Sequence, residues 1–118
     1  MITHPTAQEI VDAVSRWIDG VRPNLTGRDA FLARVAVNAL GIVSRELATG
    51  QQAEAAAKER MAGLLGQDGD YASLNAELCR RLRDGEIDRD TPGLLAALDA
   101  NIQAQIAIDQ PSYRPDQA

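Results

Sequence analysis

Three polar side chains on an otherwise apolar helix are the strongest candidates for chemistry in this sequence. Within FLARVAVNALGIVSREL, residues 31–47, Arg34, Asn38 and Arg45 fall within about 40° of one another on a helical wheel. The arginine fork suits two-point recognition of a carboxylate or a phosphate. Glu46 follows the strip and could serve as a general base, but acid–base catalysis needs a matched partner group and the sequence displays none. The strip therefore indicates binding or packing rather than catalysis.

A second polar ladder lies on the last predicted helix, where Asn101, Gln105 and Asp109 follow i, i+4, i+8 spacing inside an apolar arc. The two ladders could form a buried network that fixes helix packing, which is the simplest interpretation because buried polar groups must find partners. They could instead line a cleft for a small acidic ligand, or face a partner protein or a second copy. A buried network predicts that replacing Asp109 with Ala strands an Arg and destabilises by roughly 3–5 kcal/mol.

Motifs for metal, phosphate or nucleophilic chemistry are absent from the sequence. It contains no Gly-rich phosphate loop, no His-Glu-x-x-His and no Cys-x-x-Cys. The single His4 and single Cys79 are too few for zinc, and Cys79, with no histidine nearby in sequence, is expected to be a packing thiol. Residues 88–93, DRDTPG, partly match a calcium loop, but Thr91-Pro92 is better explained as a helix start. We therefore expect no metal and no cofactor.

Composition and charge exclude several classes of function. A chain of 118 residues predicts one domain, 1–118, and the net charge of −5 argues against a nucleic-acid partner. The one basic cluster, Arg80-Arg81-Arg83, is expected at a helix C-terminus, where it offsets the helix dipole. The N-terminus lacks the pattern of a signal peptide, and no segment is apolar for long enough to span a membrane. We expect a soluble, cytoplasmic protein.

The elements that must position these residues are predicted to be five helices, and the fold class all-α. We expect a single-domain bundle around a central second helix, because residues 31–47 are apolar over more than half of the circumference. Capping residues, glycines and prolines predict where each helix begins and ends. The five helices are expected to run from Thr6 to about Gly20, Thr26 to Ala48 with Gly50 as the stop, Gln51 to Leu65 with Gly66 as the stop, Asp70 to Gly85, and Thr91 to about Asp109. Residues 110–118 are expected to be a loose tail.

Three segments together resemble a known family. FLARVAVNALGIVSREL, LNAELCRRLRDGEID and AIDQPSY are similar to motifs of small bacterial all-helical proteins of unknown function. The resemblance covers nearly the whole chain and includes Arg34, Asn38, Arg45, Glu46 and Leu47, but it implies no catalytic residue. Genes of this family often lie beside phosphotransferases resembling aminoglycoside and choline kinases, and beside acyl-CoA dehydrogenases. The resemblance therefore implies an accessory role for such an enzyme.

Two functional hypotheses follow. The first is a non-enzymatic interaction protein, whose expected partner is a phosphotransferase-like or acyl-CoA-pathway enzyme. The second is a module that binds a small acidic ligand through Arg34, Asn38 and Arg45. A homodimer through the Ala-rich third helix is a further expectation.

Overall fold

The structure, a computed structural model in which residues 3–113 are described, is all-α, as the sequence predicts. The helices are α1 (Ala7–Val21), α2 (Gly27–Arg45), α3 (Gln51–Leu65), α4 (Tyr71–Arg83) and α5 (Leu94–Asp109). A 3₁₀ turn, Arg22–Asn24, joins α1 to α2, and a π-helical segment, Glu46–Gly50, joins α2 to α3. Within residues 3–113 there is no strand.

Local capping signals correctly predict two helix starts. At α1, the Glu9 backbone N–H donates to Thr6 Oγ1 (3.1 Å), and the Thr6 N–H donates to the Glu9 carboxylate (3.3 Å), which completes a capping box. At α4, the Asp70 carboxylate accepts from the Ser73 N–H at 2.7 Å, and this bond lowers the pKa of Asp70. Both interactions satisfy N–H groups that the helix itself leaves without partners.

Glycine signals correctly predict two helix ends. Gly66 follows α3 with φ of +67°, and Gly85 follows the last residues of α4 with φ of +74°, a backbone region that only glycine adopts readily. At Gly85 the chain reverses so that the Glu86 N–H bonds to the Arg81 carbonyl at 2.9 Å. The chain then delivers Ile87 into the interior, where it is 6% exposed.

The predicted stop at Gly50 is wrong, because the helical conformation continues from α2 through the π-helical segment into α3. Gly50 is buried, and a side chain there would overlap the carboxylate of Glu46, one turn earlier. Glycine at this position thus provides space for a neighbouring side chain and does not end a helix. Counted as uninterrupted helical segments, the described chain has four rather than five.

The start of α5 also differs from the prediction. The helix begins at Leu94, after Gly93 with φ of +86°, and Thr91-Pro92 lies in the preceding turn. Thr91 Oγ1 accepts from the Asp88 N–H at 3.0 Å, so this threonine closes the turn and does not cap the helix. The helix ends at Asp109 as predicted, and a turn at Pro111-Ser112 follows. Residues 114–118 of the predicted tail lie outside the described residues.

Contacts divide the chain into two compact units, Met1–Gly50 and Gln51–Ala118, and a single domain over 1–118 stays a prediction. In the first unit α1 packs antiparallel on α2, since Ser44 near the end of α2 bonds to Asp12 near the start of α1. α2 is not the enclosed centre that we expected. Ala33 is its one buried residue, and Phe31 is 65% exposed, because α1 covers only one side of α2.

The second unit has a continuous apolar core, in which α4 and α5 both pack on α3. Leu74 of α4 is fully buried, and Met61 of α3 is only 1% exposed. The cluster consists of Met61, Leu65, Leu74, Leu78, Ile87 and Leu94. Its aliphatic composition agrees with the shortage of aromatic residues in the sequence, and it fixes α3, α4 and α5 as one packed body.

Candidate functional site

The polar strip of α2 is on the surface and not in the core. Arg34 and Asn38 are exposed, and Arg45 is half-buried. Arg45 folds back along the helix over Gly41, so that its Nη1 would lie 3.1 Å from a Cβ at that position. Gly41 therefore lets the guanidinium lie along the helix toward Asn38. Gly41 shares the strip by spacing, and this signal was present in the sequence but missed.

An open depression adjoins the N-terminal end of this strip. Its volume is about 480 Å³, and its lining consists of Arg22, Pro23, Ala30, Phe31 and Arg34. Arg22 is paired with Asp19 at 2.9 Å, whereas the Phe31 side chain is 65% exposed. A cation beside an exposed ring can hold a carboxylate together with an attached apolar group. The depression is therefore suited to an acidic, partly apolar binding partner.

Apolar side chains continue around α2 from the strip on the side that faces away from α1. Val35 is 46% and Ile42 is 37% exposed, and both are close to Phe31 on the helical wheel. We call the set Phe31, Arg34, Val35, Asn38 and Ile42 the outer surface of α2. It combines aromatic, aliphatic and cationic groups on one helix.

The second ladder makes one contact with α3 and one within α5 among the described residues. Asn101 accepts a hydrogen bond from Arg60 of α3 at 2.7 Å, and Gln105 donates to Asp109 at 2.8 Å. Asp109 is exposed, as is Glu46. Within residues 3–113 no polar side chain is buried, so the expectation of a buried network is wrong. That the two ladders meet stays a prediction.

Among the described residues, the densest ionic cluster lies at the C-terminal end of α4, where the sequence predicts only a dipole effect. Glu77 accepts from Arg80 (2.8 Å) and Arg81 (2.9 Å), and these hydrogen bonds lower the pKa of Glu77 to about 2. Arg80 also pairs with Asp84 and Glu86, and its own pKa is raised, chiefly by the bonds to Glu77 and Glu86. The i, i+3 and i, i+4 spacing of Glu77 to the arginines was the available signal. Arg80 and Arg81 are thus engaged with their own chain.

The structure brings no metal set together in the part of the chain that it describes, where no three His, Cys, Asp or Glu side chains could share an ion. Cys79 is exposed and is not the packing thiol that we expected. Among residues 3–113, no helix is both long and apolar enough to cross a membrane.

The sequence of this chain matches a known protein family. Residues 23–113 match the model of a domain of unknown function, DUF6285. The chain belongs to the DUF6285 family. The matched segment contains α2 to α5 and every residue of the two polar ladders, and α1 precedes it. No match is found among curated proteins or among solved structures. Membership of DUF6285 agrees with the resemblance to a family of unknown function.

Proposed function

We propose that this DUF6285 protein is a non-enzymatic interaction protein that binds a partner on the outer surface of α2. The observation that carries the proposal is the exposure of Phe31, 65%, in a chain whose other aromatic residues are Trp17, Tyr71 and Tyr113. Aromatic residues and Arg are enriched at the centres of protein interfaces, where a few of them supply most of the binding energy. Phe31 beside Arg34 is such a combination.

The chemistry of the outer surface favours an acidic partner. Arg34 adjoins Asn38, and both are exposed on a chain whose net charge is −5. A local cation on an acidic protein favours a partner that presents a carboxylate near an apolar side chain. The proposed partner class, from the family resemblance, is a phosphotransferase-like or acyl-CoA-pathway enzyme in a bacterial cytoplasm.

The test is a binding measurement between the purified protein and the phosphotransferase-like enzyme of its own host, by isothermal titration calorimetry. We expect Phe31→Ala and Arg34→Glu each to weaken binding at least tenfold, because removing a central anchor costs on the order of 2 kcal/mol. Arg83→Glu, an exposed site on α4, is the matched control and should leave binding unchanged. Equal losses for Arg34→Glu and Arg83→Glu would contradict the proposed surface. Turnover of acyl-CoA or of a phosphoryl donor by the protein alone would contradict a non-enzymatic role.

A second candidate function is binding of a small acidic ligand by Arg34, Asn38 and Arg45. The open depression at Arg34 favours it in part, because a concave surface with a cation can receive a small anion, although the lining includes neither Asn38 nor Arg45. Inorganic phosphate and succinate are suitable probes, and a ligand at a hundred times its dissociation constant stabilises by about 2.7 kcal/mol. We expect a rise in thermal midpoint that Arg34→Gln abolishes. An unchanged midpoint at saturating concentrations of both anions would exclude this function for these ligand classes.

A further inference from the structure

The hairpin of α1 and α2 exposes a broad uncharged surface on the edge away from the polar strip. Trp17 is 68%, Ile10 is 47% and Val14 is 45% exposed on α1. Their i, i+4, i+7 spacing places them in one stripe. The corresponding exposed residues are Leu32 at 44% and Val43 at 44% on α2, and Leu47 at 47% in the π-helical segment that follows it. We call these six side chains the apolar face of the hairpin.

The seam between the helices shows that the two stripes lie on the same edge. Ser44 donates to Asp12 at 2.6 Å, and Asp12 lies about 160° from Ile10 around α1. On α2, Arg34 and Val43 lie on opposite sides of Ser44. Because the two right-handed helices run antiparallel, the edge of α2 that carries Arg34 adjoins the acidic side of α1. The edge that carries Val43 therefore adjoins the stripe of Ile10, Val14 and Trp17.

This face lacks the cover that a stable helical hairpin needs. α1 contains no buried residue, and Ala33 is the one buried residue of α2. Two helices share a single seam, and an amphipathic helix gains most of its stability by burying its apolar side. An exposed patch of this size in a soluble protein marks an interaction site.

We infer that a second copy of this chain covers the apolar face, so that two hairpins form a four-helix bundle about a two-fold axis. Scaled by ordinary side-chain areas, the exposed fractions of the six residues amount to roughly 600 Å² per copy. Stable interfaces begin at about 600 Å² per partner, so this area reaches the lower limit when the contact buries all of it. The face is also uncharged between its two stripes, apart from Asp29 at the first turn of α2. Apart from Asp29, a two-fold contact therefore brings no like charges together.

The apolar face of the hairpin is distinct from the outer surface of α2, so the inference goes beyond the proposed function. Ile42 and Val43 are neighbours in sequence, yet Ile42 lies on the outer surface and Val43 on the apolar face, about 100° apart. This pair supplies matched variants of similar exposure, 37% and 44%. Each variant replaces one aliphatic side chain of α2 with a carboxylate.

The experiment is sedimentation velocity together with Trp17 fluorescence on the full chain, over protein concentrations on the order of 1–100 µM. Trp17 is the single tryptophan of the chain, so its emission reports this face directly. We expect the dimer to form within this range, and the Trp17 emission to shift to shorter wavelength with the same concentration midpoint. Val43→Glu should raise the dissociation constant at least 100-fold, and Ile42→Glu should leave it unchanged. Far-UV circular dichroism establishes that both variants are folded.

A wild-type chain that stays monomeric at the highest concentration would overturn the inference, whatever the emission of Trp17. A dimer that Val43→Glu and Ile42→Glu weaken equally, or one whose formation leaves the Trp17 emission unchanged, would overturn it too. If Val43→Glu does not fold, the coincidence of the mass and emission transitions in the wild type decides the question, because it needs no variant.

Discussion

Replacing Arg81 with Ala should destabilise the second unit by about 2 kcal/mol. The Arg81 guanidinium donates to Glu77 Oε1 at 2.9 Å, to the Leu65 carbonyl at 3.1 Å and to Gln67 Oε1 at 3.0 Å. It thereby ties α4 to the C-terminus of α3, where backbone carbonyls lack helical partners. Hydrogen bonds that involve a charged group contribute roughly 1.5–3 kcal/mol each when buried. The Arg81 side chain is 23% exposed and its partners regain water, so the total is well below that sum.

The assay is urea unfolding followed by far-UV circular dichroism, with Arg83→Ala as the control. Arg83 is exposed, two residues away on the same helix, and its replacement should change the free energy of unfolding by less than about 0.5 kcal/mol. Arg81→Lys should be intermediate, at about 1 kcal/mol, because an ammonium cannot reproduce the planar fork. If Arg81→Ala and Arg83→Ala lower the free energy equally, the link from Arg81 to α3 contributes nothing.

Three further substitutions test the core, the ionic cluster and the polar ladder. Leu74→Ala should cost about 3 kcal/mol by urea unfolding, because Leu74 is fully buried, and a cost below 1 kcal/mol would contradict the assigned core. The folded-state pKa of Glu77, about 2, lies below its ordinary 4.5, so its contribution to stability is present above pH 4.5 and is lost as the pH falls toward 2. Glu77→Gln should therefore flatten the decline of the thermal midpoint over that range, and an unchanged slope would refute the assignment. Asp109→Ala should change stability by less than about 0.5 kcal/mol, since Asp109 is exposed. A loss of about 3–5 kcal/mol would instead support the hypothesis that Asp109 belongs to a buried ion pair.

The helix boundaries that the sequence predicted correctly depend on interactions within a few residues. Thr6 and Glu9 cap each other, and Asp70 caps Ser73. Gly85 supplies the positive φ that a reversal after a helix requires. Each of these arrangements is determined by neighbours in sequence, which is why residue types and spacing suffice to identify it.

The boundaries that the sequence predicted wrongly depend on competing partners. Gly50 carries the signal of a helix stop, yet the helical conformation continues through it, and the Glu46 carboxylate lies in the space beside it. Thr91 carries the signal of an N-cap, yet its hydroxyl accepts from Asp88 and the helix starts after Gly93. The residue types permit both outcomes in each case, and only the folded backbone distinguishes them.

The candidate site shows the same division between pattern and partner. The helical wheel places Arg34, Asn38 and Arg45 on one strip, but it cannot say whether a strip faces protein or water. The same wheel predicted that other helices enclose α2, because a helix with so wide an apolar arc is usually surrounded by others. An apolar arc of this width must be buried against another surface, but periodicity does not reveal whether that surface is a helix of the same chain.

The exposed arc of α2 is best explained as two surfaces with different chemistry. Phe31 and Ile42 adjoin the cationic strip, so that side offers charge as well as apolar area. Val43 and Leu47 adjoin the uncharged stripe of α1, so that side offers apolar area alone. Charge confers partner specificity, whereas an uncharged face can meet its own copy without repulsion. If both proposals hold, Ile42→Glu weakens enzyme binding and leaves the dimer intact. Val43→Glu then weakens the dimer more than it weakens enzyme binding. A single variant that abolished both interactions in a folded chain would instead show that α2 has one continuous binding surface.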